Sequence, residues 1–276
     1  MSQIQRPAGW KYDLDATYHP GHAQLISSNI ETPLDNIDEN MLEIPRCSVN
    51  LRGPTLIIDC LLLLAIAYAE ADAIYYNLFI ANRIDLEFIA ATLGASIILF
   101  VILTPSIRMD IGRPCNEPIR FNRHRRKVYF YQYRFDLLHP FGRKNWGVKP
   151  VVYDWDDLTA EAYRIYGAMG YGGLREEVML SVRKPGTDEV IDRVFFADDI
   201  EKGEQYWAIA RLFMQQGPEA LPDFIRASKE HEESTNPGEL ESIALGNPFD
   251  RLAPKVQWPA EMDLESRTAP SPGDHR

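Results

Sequence analysis

Residues 88–107, "FIAATLGASIILFVILTPSI", run for 20 positions without a charged residue. At a rise of about 1.5 Å per residue, a helix of this length spans a hydrocarbon core of about 30 Å. A buried core helix of this length would show a polar stripe, whereas here Thr92, Ser96 and Thr104 are scattered among apolar residues. The stretch therefore predicts a membrane-spanning helix.

An earlier apolar segment, residues 55–79, is less uniform because it contains Asp59, Glu70 and Asp72. A span from about Thr55 to about Ala73 places these acids near its two boundaries, where a charge costs least. An amphipathic or buried helix is the alternative interpretation. Together with residues 88–107, the segment predicts a two-helix transmembrane hairpin.

The formal net charge of −11 is distributed unevenly over the 276 residues. Residues 108–150 contain eleven basic and three acidic residues, whereas residues 151–276 contain 13 basic and 25 acidic residues. Basic residues next to a membrane span favour the cytoplasmic side. Because Arg46 and Arg52 precede the hairpin and Arg108 and Arg113 follow it, both termini are predicted to be cytoplasmic.

A basic cluster at residues 123–127 has three interpretations: a solvated hairpin turn, a contact with anionic lipid, or a surface for single-stranded nucleic acid. The neighbouring tyrosines follow strand periodicity and the rest of the domain is acidic, which argues against nucleic acid. The residues predicted to lie at the membrane surface are Arg108, Arg113, Arg123, Arg125, Arg126 and Lys127.

The chain after residue 108 has the patterns of strands followed by one helix. In residues 176–199, Val178, Leu180 and Val182 alternate with polar residues before a turn at Pro185 and Gly186. Residues 201–217 then show apolar positions at helical spacing. This order predicts an α+β fold: a transmembrane hairpin followed by a small antiparallel β domain, a PH-like curved sheet or barrel, closed by a C-terminal helix.

Four regions follow from these patterns. We predict an irregular cytoplasmic segment at 1–50, the transmembrane hairpin at 51–108, a cytoplasmic β-rich domain with its closing helix at 109–223, and an acidic, largely disordered tail at 224–276.

No catalytic signature is present, since the sequence contains no G-x-S-x-G, H-E-x-x-H or C-x-x-C motif. We predict that the protein is not an enzyme and that it has no catalytic residue, metal or cofactor. An enzyme with an unrecognised site is the alternative. A domain this acidic suits a basic protein partner. The predicted partner-binding residues are Asp154, Trp155, Asp156, Asp157, Phe249 and Trp258.

The segments "IRFNRHRRKVYFY" (119–131) and "VYDWDDL" (152–158), with the preceding apolar hairpin, give residues 45–220 a family resemblance. The chain resembles an uncharacterised bacterial family of two-span inner-membrane proteins with a PH-like cytoplasmic domain, often encoded beside type VI secretion toxins. The resemblance implies an immunity protein of the bacterial inner membrane that binds and neutralises a cognate toxin, such as a nuclease. The alternative is a membrane-surface scaffold or accessory module that recognises anionic lipid or a secretion component.

Overall fold

The computed structural model describes residues 6–15, 26, 34, 36–46, 52–80, 86–166, 173–223, 225 and 248–270. Within these residues the chain forms four α-helices and three antiparallel sheets. The helices are α1 (Pro54–Tyr75), α2 (Leu86–Gly112), α3 (Ile200–Gln216) and α4 (Ala260–Arg267). The strands are β1 (Trp10–Asp13), β2 (Asn36–Ile37), β3 (Met41–Ile44), β4 (Ile119–Asn122), β5 (Lys127–Phe130), β6 (Tyr133–Arg134), β7 (Gly147–Val148), β8 (Val151–Asp154), β9 (Leu158–Tyr166), β10 (Leu174–Arg183) and β11 (Val190–Ala197).

Two sheets and one helix enclose the core. One sheet has five strands in the order β2-β3-β4-β5-β8, and the other has four in the order β1-β9-β10-β11. Helix α3 packs against strands of both sheets and buries Trp207 and Phe213 between them. Strands β6 and β7 form a separate two-stranded ribbon.

The local elements follow the sequence pattern. The hairpin expected over residues 176–199 is β10 and β11, and its turn contains Gly186 with φ 73°. Helix α3 begins after Asp199, whose side chain accepts a hydrogen bond from the backbone N–H of Lys202 at 3.1 Å. It ends at Gly217, where φ is 94°.

Helices α1 and α2 pack against each other as an antiparallel pair. At one end, the Asp110 carboxylate accepts hydrogen bonds from the backbone N–H groups of Gly53 and Leu56, at 3.3 and 3.2 Å. Further along, the Ser96 hydroxyl donates to Glu70. The pair leaves large apolar side chains exposed on both helices.

The prediction of a two-helix transmembrane hairpin is wrong. Among the described residues one helix, α2, is long and apolar enough to cross a membrane, and its apolar 18-residue window is not buried. Helix α1 carries three acids, Asp59, Glu70 and Asp72, within its 22 residues. The leucine run in α1 had outweighed these acids in the sequence prediction.

The prediction of one curved sheet or barrel also needs correction, because the β domain consists of two separate sheets and a ribbon. The region predicted to be irregular, residues 1–50, supplies three strands. β3 pairs with β4, and β1 pairs with β9. These pairings join segments that precede α1 to segments that follow α2, so both belong to one folded domain.

Candidate interaction surfaces

A C-terminal segment, residues 248–270, covers the outer face of the five-stranded sheet, and we call it the strap. Side chains alternate along β4, so that Ile119 and Phe121 enter the core while Arg120 and Asn122 point outward. Helix α4 of the strap packs on β4. The outward residues are consequently buried, with Arg120 3% exposed and Asn122 fully buried.

Arg120 is the centre of a buried polar network beneath the strap. Its guanidinium donates to Glu43, to Asp263 at 2.6 Å and to the Ser266 hydroxyl at 3.1 Å. It also lies 4.5 Å from the ring centroid of Trp258. A buried charge is tolerated when its donors are satisfied in this way.

The basic cluster is held mainly by the strap and by one neighbouring acid. Lys127 pairs with Glu265 at 2.7 Å, and Arg125 donates to the carbonyl oxygen of Thr268 at 3.1 Å. Arg126 donates through its Nε to Asp156 at 3.1 Å, and this hydrogen bond lowers the pKa of that carboxyl. These pairings explain why an acidic chain concentrates basic residues here.

The six residues predicted at the membrane surface fall into two groups. Arg108 and Arg113 lie near the C-terminal end of α2, where Arg113 pairs with Glu117 at 2.8 Å. The other four, at positions 123 and 125–127, lie at the β4–β5 turn, and Arg123 lies against Gly217. That turn is at the end of β4 opposite to the end that follows α2.

Two of the predicted partner anchors dock on this chain. The Phe249 ring lies directly against Gly53 at the start of α1, and the Trp258 ring lies 5.2 Å from that of Tyr131. Both anchors belong to the strap. The tail predicted to be disordered is therefore ordered at residues 248–270, while 224, 226–247 and 271–276 lie outside the described residues.

The predicted acidic surface at residues 154–157 is divided between the core and the exterior. Trp155 is 7% exposed and packs 4.9 Å from Trp207 and 5.9 Å from Phe121, measured between ring centroids. It is a core residue and does not form part of an exposed surface. Asp156 is exposed but paired with Arg126.

Asp154 and Asp157 instead line a groove of about 330 Å³ between β8 and the β10–β11 hairpin. β8 and β11 are edge strands of different sheets. The Tyr153 hydroxyl joins them by donating to Asp192 at 2.8 Å. Burial, and then this hydrogen bond, raise the pKa of Tyr153 to about 12. The lining residues are Lys127, Val152, Tyr153, Asp154, Asp157, Val182, Arg183, Pro185 and Ile191.

The strap was not predicted from the sequence because its contacts join residues about 140 positions apart, as in the Asn122–Ser266 hydrogen bond at 2.9 Å. One signal was present: outward-facing Arg120, Asn122 and Lys127 on strands with apolar inner faces. The apolar loop at residues 135–146 was not among the predicted sites either. In the part of the chain that the structure describes, no group of three or more His, Cys, Asp or Glu is arranged to hold a metal ion.

Comparison with known proteins gives one match. The pattern of a protein family described as "Family of unknown function (DUF6708)" matches residues 96–270. The match begins within α2, includes β4 to β11 and α3, and ends at the last described residue of the strap. No curated protein and no solved structure matches the chain. Because the family match covers more than half of the sequence, the chain belongs to this family of unknown function, DUF6708.

Proposed function

We propose that the protein is a membrane-anchored binding protein that holds a protein partner in the groove between β8 and the β10–β11 hairpin. The observation that carries the proposal is this open groove, in which the side-chain carboxylates of Asp154 and Asp157 have no ion-pair or hydrogen-bond partner among the described residues. The specific form of the proposal is the immunity role: the partner is a cognate toxin with a basic surface. The predicted absence of catalysis stays a prediction.

An edge strand supports binding of an extended peptide. β8 pairs with β5 on one side, and no described strand pairs with its other side. The backbone N–H and C=O groups of such an edge are available to a strand from another protein. Val152 and Ile191 offer apolar contacts beside this edge. The groove therefore suits a short extended segment with alternating apolar and basic residues.

The charge of the groove favours a basic partner. Its two basic residues already have acidic neighbours, since Lys127 pairs with Glu265 and Arg183 lies 3.9 Å from Asp188. The carboxylates of Asp154 and Asp157 are left to attract basic groups of a partner. Complementary charge of this kind raises the rate of encounter and selects the partner.

If α2 anchors the protein, the whole β domain lies on one side of the membrane. The pairing of β3 with β4 keeps the described segments before α1 and after α2 in one domain. The α2 end next to this domain carries Arg108 and Arg113, whereas the other end carries Glu87. By the preference of basic residues for the cytoplasm, we propose that α2 enters the inner membrane from the cytoplasmic side with α1 packed along it, which leaves the β domain and both termini in the cytoplasm.

The alternative function, a scaffold that recognises anionic lipid through the basic cluster, has less support. Arg125, Arg126 and Lys127 already have partners within the chain. Releasing them for lipid would break these contacts at the same time.

The proposal is tested by solubilising the full-length protein from its native membrane and measuring how much partner protein is recovered with it. We expect the double variant D154N/D157N to recover about ten-fold less of the basic partner, because its neutral amides no longer attract basic groups. A tenfold loss corresponds to about 1.4 kcal/mol of binding free energy. The matched control is E39Q/E201Q, which removes two exposed carboxylates that lie outside the groove.

Recovery that is unchanged in D154N/D157N, or reduced equally in the control, would remove the groove from the proposal. Thermal unfolding of each variant checks that its fold is intact.

A further inference from the structure

The loop at residues 135–146, "FDLLHPFGRKNW", has an apolar tip exposed beside α2. Leu138 is 87% exposed and Phe141 60% exposed, and Leu137 is also exposed. The loop connects β6 to β7. Contiguous exposed apolar residues of this size mark a contact with a membrane or with another protein.

The tip is held in a defined conformation by Asp136. Its carboxylate accepts hydrogen bonds from the backbone N–H of Leu138 at 3.1 Å and from the Asn145 side chain at 2.9 Å. The Trp146 indole donates to the carbonyl oxygen of His139 at 2.9 Å, which closes the base of the loop. The apolar side chains are therefore presented outward by a hydrogen-bonded frame.

The loop is also fastened to α2. The Arg108 guanidinium donates to the carbonyl oxygens of Pro140 and Gly142, the latter at 2.9 Å, and lies 4.3 Å from the ring centroid of Trp146. The ring of Phe141 stacks on Phe100 of α2 with centroids 6.3 Å apart. Between helix and loop is an apolar groove of about 650 Å³, whose lining includes Val101, Ile102, Pro105, Leu137, Leu138 and Pro140.

This attachment fixes how far the tip reaches along α2. Phe100 precedes Gly112, the end of the helix, by twelve residues, or about 18 Å along the axis. The tip thus lies beside the apolar middle of α2. Arg143 and Lys144 are exposed at the base of the loop, and Asp136 is the only acid between residues 135 and 149.

We propose that the 135–146 loop inserts Leu137, Leu138 and Phe141 into the bilayer beside α2, with Arg143 and Lys144 at anionic phospholipid head groups. The inference depends on the membrane anchoring of α2 proposed above and is independent of the partner groove. Continuity with the apolar surface of α2 and the basic base of the loop both favour a lipid surface as the occupant. The loop acts as a second anchor that fixes the angle of the β domain to the membrane.

The test places one fluorophore at a time on the full-length protein in phospholipid vesicles. The native Cys47, Cys60 and Cys115 are replaced by serine, and single cysteines are introduced as L138C, I98C or D188C. Each is labelled with an environment-sensitive dye, and quenching by acyl-chain spin-labelled lipid is measured with and without phosphatidylglycerol. I98C reports the insertion of α2, and D188C is the water-exposed control in the β10–β11 turn.

We expect quenching at position 138 to lie within about twofold of that at position 98, to increase with phosphatidylglycerol, and to be absent at position 188. Quenching at 98 without quenching at 138 would overturn the loop proposal and leave the anchoring of α2 intact. No quenching at either position would reject both. A dye at 138 that is shielded from water but not quenched, together with disulfide-linked dimers of unlabelled L138C, would assign the loop to a second copy of the chain and overturn the lipid proposal.

Discussion

The outer face of the five-stranded sheet is polar and buried, whereas the outer surface of the α1–α2 pair is apolar and exposed. Under the strap, charged and polar side chains such as Arg120 and Glu43 are buried. On the helices, large apolar side chains such as Leu64 and Ile98 are exposed, at 66% and 62%. From polarity alone, the charged face of the sheet would be expected to be exposed and the apolar surface of the helices to be buried.

The difference shows that a side chain of this protein is buried where other residues of the chain provide its contacts. The Arg120 guanidinium donates to Glu43, Asp263 and Ser266, and these hydrogen bonds offset its loss of hydration. The apolar side chains on the outer surface of α2 have no such cover in the described chain. The charge of Arg120 is therefore balanced within the chain, whereas no described part of the chain covers the apolar surface of α2.

The largest effect is expected from breaking the strap surface at its centre with Arg120→Ala. The change leaves Glu43 buried without its cation and removes the bonds to Asp263 and Ser266. Removing one partner of a buried pair costs about 3–5 kcal/mol, and we expect this loss in the free energy of unfolding. It is measured by chemical denaturation of the full-length protein in detergent, followed by tryptophan fluorescence.

The matched control for this prediction is Arg126→Ala in the adjacent turn. Arg126 and Asp156 form an exposed pair, with side chains 47% and 69% exposed, so we expect a change of about 0–1 kcal/mol. Similar effects for the two variants would mean that the buried Arg120 network stabilises the protein no more than an exposed ion pair does.

The helix surface is tested by Ile98→Asp, near the middle of the apolar stretch. A charge at the centre of a span costs about 2.5–3.5 kcal/mol, which corresponds to about a hundred-fold weaker partition into the bilayer. We expect the protein to leave the membrane fraction after carbonate extraction, while Ile98→Leu stays. The β domain should unfold at the same temperature in both. Retention of Ile98→Asp in the membrane would contradict the exposure of position 98 to lipid.

Local patterns predicted the elements whose determinants lie within a few residues. The alternation Val178, Leu180, Val182 with a turn at Gly186 was sufficient for the β10–β11 hairpin. The long-range pairings were not predictable in this way, because β1 joins β9 across about 150 residues, as between Tyr12 and Ala162. Such pairings depend on the fit of whole surfaces, which one strand's pattern does not specify.

The candidate sites were predicted less well than the elements, for a related reason. Asp154 and Asp157 lie in the groove, yet Trp155 between them enters the core, since a short 3₁₀ turn at 155–157 directs neighbouring side chains to different sides. In the helical region, composition indicated two apolar helices but overestimated the capacity of α1 to span a membrane. Adjacency in sequence was thus a poor guide to a shared surface.

The smallest effect is expected from Tyr129→Phe, which tests the strap surface by pH. Tyr129 is fully buried on the strap side of β5, and burial first, then the charge of Glu265, raise its pKa above the ordinary value of 10.0. Because the raised pKa belongs to the folded state, Tyr129 contributes stability that is complete below pH 10.0 and is lost as the pH rises through the folded pKa. Phenylalanine cannot ionise, so the variant should lose less stability with rising alkalinity than the parent. Unfolding temperatures between about pH 8 and about pH 11, with phenolate absorbance as a parallel readout, measure this slope. Equal slopes would mean that the strap does not seal this hydroxyl from water, and the contrast with the exposed helix surface would weaken accordingly.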